Sequence, residues 1–500
     1  MGVPTGTELE PRRLNRAVPA LLIALLGFAN VLAVPAYQNQ NQYLAHALGE
    51  RVPQLQADWL VTTVDPYPLF TWLGGLLIDA GGDFALRAAA YLVTVVALTG
   101  GYLIARALNP GRTVAAIAIV MLGATLIPWT TAPIPLGELS AFHGLVGQYL
   151  INKPGYLQPS SAGVLLLVAL GLWLGAQNDR RRSAAAAGLV VVACAVHPTY
   201  LMVTGIGLGA ALLADLVAGS GWRRLPGYLI VGAASVGIAV LANPAVFSIA
   251  GGEARDRFAF ERIPHHTLLS SWRWYDVAYL VLIAAAAILV RPLRHGRWLS
   301  VWLIAATVPG LLAVVVVEFT RWAGLALPFP WRISVVAVPV AATVVAVRLG
   351  RVLTRLPVRD WTLPVLACAV VIGGYGLYSC VQVEPPEVAD PATALVLAAH
   401  PQGVGLVPLA AQNVRLNAEV PIYVDWKSPP YAGPDLQEWW RRYDQVAGFE
   451  QDPQSFCGAD WSTGIDWVLL PAAVQVPCLQ EWDVLSESGG YVVRQRPAAS

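Results

Sequence analysis

Two carboxylates stand seven residues apart in the stretch QADWLVTTVDPYPLF, at Asp58 and Asp65, just after the first long apolar run. A loop carboxylate at a membrane edge can take the proton of an attacking hydroxyl, so both are candidate catalytic bases. Asp58 comes first, because ADW follows a polar stretch and precedes an apolar helix. Asp65, ahead of Pro66, is equally placed to cap the next helix. The stretch FERIPHHTLLSSW offers Arg262, His265 and His266, and Arg332 follows LPFPW. Guanidinium and protonated imidazole suit a phosphate or pyrophosphate, the alternative being contact with lipid headgroups. His197 lies at a break in AVHPTY, facing either a substrate or a backbone carbonyl freed by Pro198. Asp425 and Lys427, in YVDWKSPPY, sit at what reads as a strand end, where α/β domains bind ligands. Lys427 is one of only two lysines, with Lys153, in a chain that otherwise uses arginine. His143, in AFHG, completes the set of candidate polar residues.

These residues need a frame, and composition names it. Of 500 residues 56% are hydrophobic and 13% charged, about half the ~25% charge of soluble domains. The chain reads as a polytopic membrane protein. A net charge of +1 argues against nucleic acid as a partner. The abundance of Ala, Val, Gly and Arg points to a GC-rich, bacterial source. No cleavable leader is evident, so the run AVPALLIALLGFANVLAVPAY reads as a retained first helix.

About eleven apolar runs are long enough to cross a core of roughly 30 Å. They lie near 17–36, 84–106, 113–130, 161–177, 184–196, 198–217, 226–245, 274–291, 298–318, 331–348 and 361–380. Arginines cluster at 12–16, 106 and 112, 180–182, 223–224, 291–297 and 348–359. With the N-terminus inside, every cluster falls on the cytoplasmic side and everything after 380 falls outside. The short arm 184–196 is the weak point of that alternation. The helices are nearly free of charge and the polar candidates gather in four external segments, 37–83, 131–160, 246–273 and 381–500. That is the layout of an enzyme working at a membrane surface, and PYPLFTWLGGLLIDAGG reads as a helix lying in the interface.

The tail, 381–500, begins with the proline-rich linker EPPEVADP. Helical patterns (ATALVLAAH, DLQEWWRRYDQV) then interleave with strand patterns (GVGLVPL, VPIYVDW, DWVLLP, YVVRQR), which predicts a small α/β domain. Cys457 and Cys478, on the oxidising side, are expected to pair. Cys194 and Cys368 lie within apolar runs as packing residues. No Cys/His spacing matches structural zinc, and no glycine-rich loop marks a nucleotide site.

The layout resembles the GT-C class of integral-membrane glycosyltransferases. More narrowly, the pieces NQYLAHAL, ADWLVTT, DPYPLF, VHPTY, IPHHTLLSSW and AEVPIYVDWKSPPYAGPDLQEWWRRY, spread over residues 41 to 443, look like a bacterial membrane family without an assigned reaction. The resemblance implies a mainly α polytopic fold whose first external loop carries the catalytic acid. It implies a polyprenyl-phosphate sugar as donor and an envelope glycan, lipid or protein as acceptor. Asp58 matches the position of the loop acid, although the class often carries Asp-x-Asp or adjacent acids and here the two are apart. The expected enzyme is a glycosyltransferase acting from the bacterial inner membrane, with a divalent cation left open as cofactor. The alternative is a non-enzymatic envelope protein, a lipid or glycan transporter or a scaffold. A transporter would show paired repeats and polar residues at mid-membrane, and only AVHPTY resembles a broken helix.

Overall fold

The computed structural model describes residues 17–30, 40–126, 157–176, 179–248, 251–272, 274–358, 360–381 and 390–498. His143 and Lys153, most of the expected second external segment and the EPPEVADP linker lie outside the described residues.

Long apolar helices dominate the first three quarters of the chain: α1 (Ala17–Leu26), α2 (Pro68–Leu108), α3 (Arg112–Thr125), α4 (Val164–Ala176), α5 (Arg180–Val196), α6 (Tyr200–Val217), α7 (Gly221–Ala242), α8 (Trp274–Leu289), α9 (Gly296–Thr320), α10 (Ser334–Leu353) and α11 (Thr362–Val381). Among the described residues, six helices are long and apolar enough to cross a membrane, and four shorter apolar helices accompany them. α5 has 17 residues, about 26 Å of helix, and stops at His197–Pro198, where the chain reverses into α6. Helix α2 begins as the segment expected to lie in the interface and changes direction at Gly81–Gly82, where Gly82 takes a φ of 53° that suits glycine.

The helices pack α2 on α4, α4 on α5, α6 on α9, and α10 on α3. The α2–α4 contact is close because it is built on glycine. A Cβ at Gly100 would lie 2.7 Å from the Leu167 Cβ, and one at Gly171 would lie 2.6 Å from the Leu103 Cβ. The arginine-rich turns gather at one end of the bundle. Arg294 N–H donates to the Leu108 carbonyl, and Asp215 accepts from Trp298 Nε1 and Arg224 there. The loops that carry the candidate site residues meet at the other end.

The C-terminal region folds as a four-stranded sheet between helices. Strands β1 (Gly405–Leu406), β2 (Trp467–Pro471), β3 (Asp483–Ser488) and β4 (Tyr491–Gln495) run in the order β1-β2-β4-β3. β1 is parallel to β2, and the other pairs are antiparallel. Side chains alternate along β2. Val468 and Leu470 face helix α13 (Gly433–Gln451), while Trp467 and Leu469 face helix α12 (Pro391–Ala399). A strand buried on both faces explains why WVLL is continuously apolar. Cys457 and Cys478 form the expected disulfide. Two strand expectations differ. VPIYVDW contributes only one bridge, Ile422 to Gly405, made by the Gly405 N–H on the Pro421 carbonyl and the Tyr423 N–H on the Gly405 carbonyl, while the Ile422 N–H, on the far side, reaches Asp58. β3 carries mostly exposed, polar residues and gave no apolar pattern to read.

The glycine contact yields a prediction. Gly171→Leu should lower stability in detergent by about 1–3 kcal/mol through overpacking. Gly188→Leu, where a Cβ meets nothing within 4 Å, should stay within about 0.5 kcal/mol. Thermal unfolding of both variants checks it.

Candidate anion-binding site

A cavity of about 110 Å³ opens where five segments converge. The segment between α1 and α2 brings Gln42, Tyr43 and Tyr67. The break between α5 and α6 brings His197 and Thr199. Arg262, His265 and His266 come from the segment before α8, Phe329 and Arg332 from the turn before α10, and Lys427 and Tyr431 from the tail. Six of the residues singled out by sequence therefore share one wall: His197, Arg262, His265, His266, Arg332 and Lys427.

Local structure explains how each is held. Arg332 sits in the 3-10 turn Pro330–Ile333 and is 3% exposed, with its guanidinium 3.4 Å from the Phe329 ring centroid. Gly310 of α9 makes room for that turn, since a Cβ there would lie 2.7 Å from the Trp331 Cα. Trp331 Nε1 donates to the His266 carbonyl at 2.9 Å, tying the turn to the histidine segment. Arg262 ends a π-helical turn, Phe258–Arg262, and its Nη2 donates to the Lys427 carbonyl at 3.2 Å. Its ring partner is Trp426, 4.6 Å away, and its buried Nε has no acceptor. His197 is 2% exposed, and its Nδ1 accepts the Thr199 N–H at 3.3 Å. That bond leaves the proton on Nε2, a buried donor without an acceptor.

The electrostatics of the wall are one-sided. Among the described residues, no carboxylate forms an ion pair with Arg262, Arg332 or Lys427. Burial pulls Arg262 below its ordinary value. Burial, then the Arg262 charge, lowers Lys427 to about 8, with Asp425 opposing. The tyrosines Tyr43, Tyr67 and Tyr431 line the opposite side, with ring centroids 5.5 Å (Tyr43–Tyr67) and 5.7 Å (Tyr67–Tyr431) apart. Burial raises Tyr43 well above the phenol range, so it is a neutral donor.

Three candidates stand outside the cavity lining. Asp58 is fully buried but committed: Oδ1 accepts the Leu60 N–H at 2.9 Å, and Oδ2 accepts Arg415 Nε at 2.8 Å and the Ile422 N–H at 2.9 Å. With its acceptor sites filled by an N-cap, a guanidinium and a tail amide, it is no free base. Asp65 accepts the Tyr67 N–H at 2.8 Å, closing the turn into α2. Asp425 pairs with Arg415 and accepts the N–H groups of Lys427 at 2.6 Å and Ser428 at 2.8 Å. Arg415, which sequence reading passed over, thus joins the first external loop to the tail.

The tail is also fastened by Arg257, whose Nη1 and Nη2 both reach Asp444 at 2.9 Å while its guanidinium lies 3.9 Å over the Trp440 ring. Trp440 Nε1 donates to the Ala254 carbonyl, and Gln42 Nε2 to the Pro429 carbonyl. Arg442 stacks between Trp59 and Tyr423. The described residues contain no group of three or more His, Cys, Asp or Glu that could hold a metal. Among the described residues the cavity lining carries three cations and no carboxylate, a set that does not fit a divalent cation.

Comparison with known proteins follows the same architecture. Residues 399–446 match a family described as a domain of unknown function, DUF6798. No curated protein matches the sequence. The structure is similar to the Archaeoglobus fulgidus oligosaccharyltransferase complexed with zinc and sulfate, at 12% identity and a TM-score of 0.48, over 91% of this chain and 68% of that one. It is also similar to ArnT from Cupriavidus metallidurans in the apo state, at 15% identity and a TM-score of 0.49, over 95% of this chain and 96% of that one.

The two loop aspartates separate cleanly in a stability experiment. Asp58→Ala leaves Arg415 Nε and the buried Leu60 and Ile422 N–H groups without their acceptor and should cost about 3–5 kcal/mol. Asp65→Ala removes a turn cap and should cost about 1 kcal/mol. Denaturant titration of both variants measures the difference.

Proposed function

We propose that this chain is an integral-membrane glycosyltransferase that moves a sugar from a polyprenyl-phosphate donor to an envelope glycan, lipid or protein. The observation that carries the reading is the convergence of Arg262, Arg332 and Lys427, unpaired by carboxylates among the described residues, on one buried cavity. Buried cations without counter-ions are costly, and an anionic ligand removes that cost. A lipid-linked phosphate at a membrane edge is such an anion.

The residues divide the work by chemistry. As the bond from the anomeric carbon to the phosphate oxygen breaks, charge grows on the leaving phosphate, and the two guanidiniums and the ammonium meet it there. The His197 Nε2–H donates to the same group. The acceptor oxygen bonds to the anomeric carbon, and its proton passes to an imidazole at the cavity, His265 or His266. This role moves from Asp58, whose carboxylate holds Arg415. The arginines and lysine take the charge-neutralising part, so no metal step is included. The frame of the reading is a membrane domain, 1–380, with eleven crossings and a cytoplasmic N-terminus, and an extracytoplasmic domain, 381–500, in a bacterial inner membrane. Neither nucleic acid nor a nucleotide cofactor takes part.

Turnover of a synthetic polyprenyl-phosphate sugar by the purified protein in nanodiscs tests it. Arg332→Met should lower turnover at least about 100-fold, the loss of one strong transition-state contact, while the protein stays folded. Donor binding without turnover in the native protein would instead favour the non-enzymatic alternative. Cysteines introduced at 291–297 should react only from the cytoplasm; labelling from outside would overturn the orientation.

The pH dependence has a defined sign. Lys427, lowered to about 8, is protonated below that value, where it attracts a phosphate, and neutral above it. Donor affinity should therefore fall by about tenfold as pH rises through 8, the loss of roughly one charged contact. Lys427→Arg, which stays protonated, should abolish that limb. Isothermal titration with farnesyl phosphate from pH 6.5 to 9.5 reads both.

A further inference from the structure

Arg415 is among the largest fully buried side chains of the protein and lies in a short helical turn, Val414–Asn417. Its guanidinium is shared. Nε donates to Asp58 Oδ2 at 2.8 Å, and Nη1 donates to Asp425 Oδ2. The three groups are 2%, 0% and 1% exposed. The second oxygen of Asp425 accepts two successive backbone N–H groups, those of Lys427 and Ser428. The Lys427 carbonyl in turn accepts from Arg262. A continuous line of contacts thus runs from the first external loop, through Arg415 and Asp425, to the backbone of the one tail lysine that lines the cavity.

We propose that Arg415 is a positioning residue. By drawing Asp58 and Asp425 onto one guanidinium, it fixes the Asp425–Ser428 turn that presents Lys427 to the anion cavity. Lysine could not replace it, because an ammonium is a point charge and cannot hold two carboxylates in a fixed fork. The inference rests on the anion-site reading above. It adds that the tail's lysine reaches the site only through a contact made by a residue outside the site.

The chain's two lysines make Lys427 readable on its own. Competitive amine labelling with mass spectrometry over pH 7–11 should give a Lys427 midpoint near 8 in the native protein. In Arg415→Lys, which keeps the charge and loses the fork, the midpoint should move up toward the ordinary value of about 10.5. Farnesyl phosphate binding at pH 7 should weaken about tenfold, and Arg415→Lys combined with Lys427→Ala should bind no worse than Lys427→Ala alone. If Arg415→Lys does not fold, Arg415→Gln, which keeps a planar hydrogen-bonding head, carries the same measurements. An unmoved midpoint, or losses that add in the double variant, would overturn the inference while leaving the anion site standing. Full binding by Lys427→Ala, with binding abolished by Arg332→Met, would also overturn it alone. Full binding by Arg332→Met would overturn the anion-site reading itself.

Discussion

The guanidinium of Arg415, held by Asp58 and Asp425, is the constraint on which the arrangement of the cavity depends. Removing three ionised groups from water is expensive, and the attraction within such a group rarely exceeds that cost by much. What the group contributes is exclusiveness. One positive charge faces two negative ones, and the surplus is met by backbone N–H groups of Leu60, Ile422, Lys427 and Ser428. Two of those amides belong to the turn that enters the cavity, and one belongs to the segment that bridges β1. A tail seated elsewhere would bury the same charges without these partners. The interface therefore specifies one seating more than it adds stability.

The interface also sorts charge. Asp58 and Asp425 are spent on Arg415, while Arg262 lies against the Trp426 ring and the Lys427 carbonyl and Arg332 against the Phe329 ring. Had Asp425 turned toward Lys427, the pair would have neutralised itself and the cavity would hold one positive charge fewer. Tying the carboxylate to a second cation outside the cavity keeps the first available. At the arginine-rich end the described residues show the reverse, where the buried Asp215 accepts from Arg224, Tyr228 and Trp298. The two ends of the bundle thus treat buried charge in opposite ways.

Much of the cavity was legible in the sequence for reasons that were local. His197 announced itself by the proline that breaks its helix, Arg332 by its place at the mouth of an apolar run, His265 and His266 by adjacency, and Lys427 by its rarity. The helical frame was legible because apolar length is a strong signal, although the kink at Gly81–Gly82 and the brevity of α5 blurred the ends of spans. Arg415 was not legible. It lies in QNVRLN, which has no periodicity or neighbour to distinguish it, and its partner Asp58 is 357 positions away. For the same reason Asp58 looked like a free acid: nothing near it in sequence shows that its charge is taken. The strand expected at VPIYVDW is reduced to one bridge, Ile422 to Gly405, and the outward N–H of Ile422 is met by a loop carboxylate that no local pattern announces.

A tail that completes the cavity also answers a problem of backbone chemistry. Irregular chain at the ends of α5 and α9 leaves peptide groups that lipid cannot satisfy, and such backbone survives only where protein encloses it. Here Trp331 Nε1 binds the His266 carbonyl, Thr267 Oγ1 binds the Ala259 carbonyl, and the tail's Pro429 and Lys427 carbonyls are taken by Gln42 and Arg262. The same closure keeps water away from the guanidiniums, so their attraction for an anion is stronger than it would be at an open surface. Enclosure, satisfied backbone and unspent positive charge are therefore one arrangement: loosening the tail would rehydrate the cations and free the loop carbonyls together.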